Sequence, residues 1–426
     1  MNTTTNATLP SLIEAARNAG KVDRPVEAAQ LWQRVLDIAP DNAEALLALG
    51  MAELSKGDAA HALQLLEKAA VASPRDAMIQ LYIALTYKET GDADAEMNAV
   101  MRALTIDPYF FPALLHRAML LERLGKRRQA ARVFRDVLKI MPTADRLAPR
   151  FQRAVSHAQA CITENRGSLE KHLEGVLSSL RQRHAGERLD RFERSVDVLL
   201  GKKQMFHPQP IMLHYADLAP IQFYDRELFP WFAQLEAQSD AIREELLGVL
   251  AESREEFRPC IPYPPGAPVN QWAGLNYSRR WSTYFLWENG QRIDAHCDRC
   301  PQTAAALESL PLARIPNFSP TAAFSCLEPR TVIPPHTGET NTRLIVHLPL
   351  VVPPGCSFRV GHQVREWVYG EAFAYDDSIE HEARNDSDQR HAVLVLEVWN
   401  PALTPAERDL VAALVNGVRE FYRAED

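Results

Sequence analysis

The sequence predicts a multidomain chain: an all-α array of helical pairs, followed by a mainly-β jelly-roll (double-stranded β-helix) domain with flanking helices. The first sign is a period. Prolines recur at Pro40, Pro74, Pro108 and Pro142, and glycines keep the same phase at Gly57, Gly91 and Gly125, a spacing of 34 residues. The second is texture: from Trp281 to Trp399, short runs of aromatic and β-branched residues are broken by Pro and Gly. The third is a pair of histidines, His336 and His381, set in that strand-rich region. A length of 426 residues allows two or three domains. The 46% hydrophobic and 24% charged content is that of an ordinary globular protein. A formal net charge of −8 argues against general nucleic-acid binding, which basic surface drives, though it leaves room for a local basic pocket.

The period of 34 residues extends to further positions. Val35, Ala69, Ala103 and Val137 align, as do the small residues Ala62 and Ala130, while Glu96 breaks that second pattern. Such a period is the signature of tetratricopeptide repeats, two antiparallel helices per unit. Ala45–Leu49 supplies the apolar face of a first helix, Gly57-Asp58 the turn, Ala62 to Leu66 the face of a second, and Ser73-Pro74 its stop. About three full repeats are expected, with a partial unit before residue 40 and a capping helix after Pro142. The array is placed at residues 10–160. One unit cannot bury its own face, so stacking makes the core. The concave surface is expected either to capture a protein or peptide partner or to serve assembly.

Residues 161–204 read as a helical connector. Leu169, Leu173, Val176, Leu177 and Leu180 recur at helical spacing, and their flanking charges are balanced, as on a solvated face. The texture changes at Phe206-His207-Pro208, so the second domain is placed at 205–404. Within it the pattern predicts an amphipathic helix ending near Ala251, a strand over Trp281–Trp287 closed by a turn at Asn289-Gly290, and a helix around Gln302–Leu310. The clearest further strands are Phe324–Leu327, Leu344–Leu350, Ser357–Val360, Glu371–Ala374 and Ala392–Val398. A last helix, about Pro405–Tyr422, occupies the closing segment 405–426 and is expected to pack on the jelly roll.

No apolar run approaches the roughly 18–20 residues that span a bilayer. The start, Met1 to Thr5, lacks the pattern of a signal peptide, so a cytoplasmic location is expected. Six scattered cysteines are no disulfide framework and fit reduced thiols. Cys297 and Cys300 form a single C-x-x-C after His296. One such knuckle is half of a structural zinc site, which leaves ordinary reduced cysteines or a metal or redox use open.

The chemistry is concentrated in the order His336, His381, Arg390. The spacing, about forty strand-rich residues between the histidines and arginine nine residues on, is that of an iron and 2-oxoglutarate oxygenase. Non-haem iron of this kind usually takes two histidines and a carboxylate. The carboxylate normally stands two residues after the first histidine, and here that residue is Gly338. Either the site is not one for iron, or water takes the third position. Asp376 and Asp377 read as supporting or turn residues, and Asn341 as a turn residue. His214, His296, His362 and His391 read as non-ligands.

His336-Thr337-Gly338-Glu339-Thr340-Asn341-Thr342-Arg343-Leu344 resembles a block of the aspartyl/asparaginyl β-hydroxylases, His-x-Gly-x-Thr-Asn-x-Arg-Leu. Asp376–Glu382 and Val398-Trp399-Asn400-Pro401 resemble two further blocks in the same order, over roughly 205–404. The resemblance implies a dioxygenase that uses Fe(II) and the cosubstrate 2-oxoglutarate, with iron held by only two histidines, His336 and His381. It implies Arg390 on the far carboxylate of 2-oxoglutarate, where a guanidinium can pair in bidentate fashion. Ser325 shares that carboxylate, His347 lies beside the cosubstrate's near end, and Arg343 faces the substrate pocket. The best-known members carry a second arginine where this chain has Ile345, which weakens the case for an acidic substrate. The implied activity is hydroxylation of an Asp or Asn side chain in a protein or peptide that the repeats recruit. Two alternatives stay open: the same chemistry on a lipid acyl chain or small molecule, and a non-catalytic repeat scaffold with a decayed jelly roll.

Overall fold

A computed structural model describes residues 8–141 and 149–423. Its contacts divide the chain between Arg188 and Leu189 into two compact units.

The first unit is a run of antiparallel helix pairs. They are α1 (Leu9–Lys21) with α2 (Pro25–Ile38), α3 (Ala43–Lys56) with α4 (Ala59–Ala72), α5 (Ala77–Thr90) with α6 (Ala93–Ile106), and α7 (Phe111–Arg123) with α8 (Arg127–Ile140). The caps repeat with the helices. Asn42 and Asp76 accept backbone N–H groups at the starts of α3 and α5, and Asp58 and Asp92 do so at α4 and α6. Gly57, Gly91 and Gly125 take positive φ in the turns inside the pairs. Val35, Ala69, Ala103 and Val137, one to a repeat, are all buried.

Two features depart from the sequence reading. The unit before residue 40 is a complete pair. Its turn falls on Asp23, which stands where the other repeats have glycine and takes a φ of 55°; a short polar side chain tolerates that conformation. Glu96, in the phase of Ala62 and Ala130, is fully buried and sustained by His116 at 2.7 Å and by Arg123. Pro142 lies outside the described residues. Beyond it α9 (Pro149–Arg183) runs through residue 160 unbroken, packs Ala158 on the repeat core, and sets Phe151 edge-on to Phe111. α10 (Asp190–Leu199) belongs to the second unit.

The second unit has two antiparallel sheets. Its strands are β1 (Arg258–Pro259), β2 (Trp281–Glu288), β3 (Gln291–Arg292), β4 (Ala322–Leu327), β5 (Thr331–His336), β6 (Arg343–Val351), β7 (Cys356–Val360), β8 (Gln363–Arg365), β9 (Phe373–Tyr375), β10 (His381–Asn385) and β11 (His391–Trp399). The larger sheet runs β1-β2-β4-β11-β6-β9, with β3 paired to β2, and the smaller runs β5-β10-β7-β8. Asn289 and Gly290, both at positive φ, form the two-residue turn between β2 and β3.

The three central strands β4, β11 and β6 alternate strictly. Phe324, Leu344, Val346, Leu348, Leu394 and Leu396 enter a core shared with the helix Ser239–Glu252. Ser325, Ile345, His347, Val393 and Val395 line a cavity on the opposite face. This parity positions the site. The helix Pro405–Arg423 sends Val411 and Val415 into a small cluster with Ile315 and Phe318. No described helix is long and apolar enough to cross a membrane.

Candidate active site

The two histidines sit on strands that the sequence pattern does not predict. β5 contains Pro334 and Pro335, which is tolerated because β5 is the edge of its sheet. β10 reads His-Glu-Ala-Arg-Asn, a polar run with little strand propensity. Their antiparallel register sets His381 opposite His336, with ring centroids 4.1 Å apart.

Each ring is held in the same way. His336 Nδ1 donates to the Pro334 carbonyl at 2.8 Å, and His381 Nδ1 donates to the Ile379 carbonyl at 3.0 Å. A proton committed to Nδ1 leaves Nε2 with its lone pair free, the tautomer a metal requires. Burial lowers the basicity of both rings, and His336 lowers that of His381 further, so both are neutral near pH 7. Trp272, edge-on at 4.9 Å, covers His336 and stacks on Trp281.

Gly338 is explained by what fills its place. A Cβ there would lie 1.9 Å from Asp377 Oδ2. The position two residues after the first histidine therefore carries no side chain because the Asp377 carboxyl occupies the space. Asp377 lines the cavity with Oδ1 unpartnered, and burial pushes its carboxyl up to about 7 against the pull of Arg343. Its neighbour Asp376 accepts the Ser378 N–H and hydroxyl, as a turn residue does. Among the described residues, no third His, Cys, Asp or Glu joins the two imidazoles in a cluster whose donor atoms all lie within 4.8 Å of one another. The pair fits a metal held by two protein ligands, and neutral imidazoles suit iron as well as zinc or nickel.

The cavity holds about 230 Å³ between the sheets and is lined mostly by apolar and aromatic side chains. Ser325 faces it, its Oγ accepting the Trp281 indole N–H at 3.1 Å. His347 also faces it, with both nitrogens engaged. Nδ1 accepts the Trp367 indole N–H at 3.3 Å, and Nε2 lies 3.4 Å from the Tyr375 hydroxyl. Burial, with His391 nearby, lowers the His347 pKa to about 3.

Both arginines expected at the site lie elsewhere. Arg343 does not line the cavity. It is buried with Nη1 2.9 Å from Glu397 and 3.6 Å from Asp377, and its guanidinium sits over the Phe318 ring. Its place is that of a buried cation fixing two buried carboxylates, with the partly exposed Glu339 carboxylate 3.4 Å from Nη2. Arg390 precedes β11 on the opposite parity and donates Nε to Glu328 at 2.9 Å. The residue that enters the cavity there is His391. His391, expected as a non-ligand, and Asp377, expected as a supporting or turn residue, both line the cavity, and strand parity counted back from Val393 places the first there.

The C-x-x-C is structural in its surroundings. Cys297 and Cys300 are buried, and burial raises their thiols to about 11 and about 12. His296 Nδ1 donates to the Phe285 carbonyl at 2.7 Å, its Nε2 lies 3.0 Å from the Glu256 carboxylate, and the ring stacks on Tyr284. Among the described residues the pair joins no three-donor cluster. In the native protein at pH 7.5, a thiol reagent such as dithionitrobenzoate is expected to reach at most the partly exposed Cys161 and Cys260. Rapid labelling of Cys297 or Cys300 before unfolding would revive the redox reading.

Two neutral imidazoles face one another on paired strands of a two-sheet jelly roll, at the edge of a buried cavity, an arrangement that could hold a single metal ion. Comparison with known proteins narrows the class. The family model for aspartyl/asparaginyl beta-hydroxylase matches residues 236–401, and a tetratricopeptide-repeat model matches residues 82–110. The aspartyl/asparaginyl beta-hydroxylase of Mus musculus is 27% identical over 309 residues, which cover 68% of this chain and 39% of that protein. The ornithine lipid ester-linked acyl 2-hydroxylase of Rhizobium tropici is 34% identical over 201 residues, 46% of this chain and 67% of that protein. The chain belongs to the aspartyl/asparaginyl beta-hydroxylase family, whose members typically use Fe(II) and 2-oxoglutarate. Its match spans about two-fifths of the length of the mouse relative.

Proposed function

We propose that this protein is an Fe(II)- and 2-oxoglutarate-dependent hydroxylase that acts on an Asp or Asn side chain of a protein or peptide, recruited through the helical repeats. The observation that carries the chemistry is the matched pair His336 and His381, each tied through Nδ1 to a backbone carbonyl so that Nε2 is free. Those two residues would hold the metal. Bound there with 2-oxoglutarate, the iron supplies oxygen activation and hydroxylation of a substrate C–H bond.

The chain's own groups then bind, orient and exclude water. Trp272 and Trp281 wall the metal side, and Ser325 keeps a hydroxyl proton to donate. His347, neutral and held at both nitrogens, serves as a fixed polar wall and not as a proton carrier at neutral pH. Arg343 positions Asp377 beside the cavity.

A second reading, hydroxylation of an acyl chain, is favoured by one feature of the lining. Ile345 faces the cavity, and among the described residues no Lys or Arg side chain lines it. The likeness to an acyl 2-hydroxylase points the same way.

Anaerobic titration with Fe(II) and then 2-oxoglutarate is the first test. A visible charge-transfer band, followed on admission of oxygen by succinate, is the expected result. Adding Asp- or Asn-bearing peptides, or acyl lipids, then identifies the substrate class by the stoichiometric rise in succinate. Absence of both band and succinate in metal-loaded folded protein would favour the non-catalytic repeat scaffold instead.

A further inference from the structure

Resting on the oxygenase reading above, we infer that His391, and not Arg390, is the group that holds the far carboxylate of the 2-oxo acid. β11 enters the cavity with His391, Val393 and Val395, and Arg390 falls outside it. The Arg390 guanidinium is already satisfied, with Nε and Nη2 each 2.9 Å from Glu328 Oε1. Turning it inward would strand Glu328, apart from a 3.4 Å contact with Arg254, and would break the parity of β11.

His391 has the opposite character. It is 3% exposed, and neither ring nitrogen makes a well-formed hydrogen bond, although the Val351 carbonyl beside the ring favours its protonated form against the effect of burial. A buried imidazole with no partner is costly unless a ligand supplies one. Trp367 lies against one side of the ring, with centroids 4.2 Å apart. Its surroundings offer a carboxylate a second donor. Ser325 pairs with Val393 across β4 and β11, while His391 pairs with Leu327, so Ser325 and His391 are diagonal neighbours on one face. The Ser325 hydroxyl, already accepting from Trp281, has its own proton to give.

Since no Lys or Arg among the described residues lines the cavity, His391 is the source of positive charge for a carboxylate there. Arginine would bring a permanent cation; histidine must take up a proton. Burial holds its free pKa near 4, so at pH 7 the empty site carries a neutral ring. The other titratable groups sharing the cavity are His336, His347, His381, Asp377, Cys260 and Tyr375, whose hydroxyl burial keeps protonated. Of these, His347 feels the His391 charge and stays neutral. On the adjacent strand ends, Arg390 and Glu328 neutralise one another, and Cys326 is held as a thiol. Binding of a dicarboxylate then takes one proton from solvent onto His391, with no other bond made or broken. Affinity gained from the far carboxylate is greatest at low pH and falls as pH rises, by up to about tenfold per unit.

The test compares 2-oxoglutarate with 2-oxopentanoate, which has a methyl group in place of the far carboxylate, on full-length Mn(II)-loaded protein by anaerobic calorimetry. The ratio of the two affinities cancels effects of pH on the metal ligands. The ratio is expected to rise by about tenfold per unit from pH 8 to pH 6, with heat that depends on the buffer's ionisation enthalpy. Arg390→Gln is expected to leave the ratio within about twofold. His391→Leu is expected to remove the preference, and His391→Gln, which keeps a polar side chain for folding, to make it independent of pH. Loss of the preference in Arg390→Gln, its retention in His391→Leu, or a pH-independent wild-type ratio overturns the inference while leaving the oxygenase reading intact. If neither acid binds the metal-loaded protein, the oxygenase reading itself fails.

Discussion

Alanine in place of His381 is expected to weaken binding of Fe(II), or of Co(II) as a spectroscopic substitute, by more than about 100-fold. Even loss of a group that only orients a metal ligand costs roughly 10–100-fold. Here half of the proposed ligand pair would go, and among the described residues no third donor forms a cluster with it that could replace the loss. The fold should survive, because β10 is held by backbone pairing to β5 and β7 on both sides. Burying a neutral ring with one free nitrogen contributes little that alanine would forfeit beyond packing. Calorimetric titration of apo protein with Co(II), alongside a melting curve, checks both halves. Unchanged affinity in His381→Ala would mean that the pair is not the metal site.

Removing Arg343 is expected to cost stability as well as function. It is a buried cation between Glu397 and Asp377. Substitution by leucine keeps much of the volume but strands two carboxylates, a class of change that costs about 3–5 kcal/mol. Glu397 retains the Ser319 hydroxyl at 2.7 Å and the Thr321 N–H at 2.8 Å, so Asp377 bears most of the loss. The pH dependence has a definite sign. Asp377 in the folded protein is already raised to about 7, above the roughly 3.9 of an unfolded aspartate. A carboxyl raised on folding withholds stability increasingly as pH rises through that window. Without Arg343 the folded value rises further, so the deficit should be larger at pH 8 than at pH 5.5. Urea denaturation of the second unit's signal at the two values measures it. An equal deficit at both would show that the lost stability is packing and not charge.

How much was legible varies with the range over which each feature is determined. The helix pairs were legible because their period is local, and every repeat must bury the same positions. Where one residue broke the pattern, the sequence concealed the answer. Asp23 takes the turn of a glycine because a short polar side chain allows positive φ. Glu96 enters an alanine position because His116 and Arg123 meet it from α7. Strands of apolar alternation were equally visible, whereas β5 and β10 were not. A proline pair and a polar run form strands only because neighbours at the sheet edge and on both flanks pair with them.

The sequence by itself determined the two-part architecture, the histidine pair and the family, since these rest on composition, period and short motifs. Tertiary structure alone decided which side chains meet. Arg390 and His391 are adjacent in the chain, yet pleating sends one to Glu328 and the other into the cavity. Arg343 and Asp377 are 34 positions apart, yet sheet register brings them to 3.6 Å. A motif specifies residue types in order, whereas the direction of each side chain depends on strand parity and on the cost of burying charge without a partner.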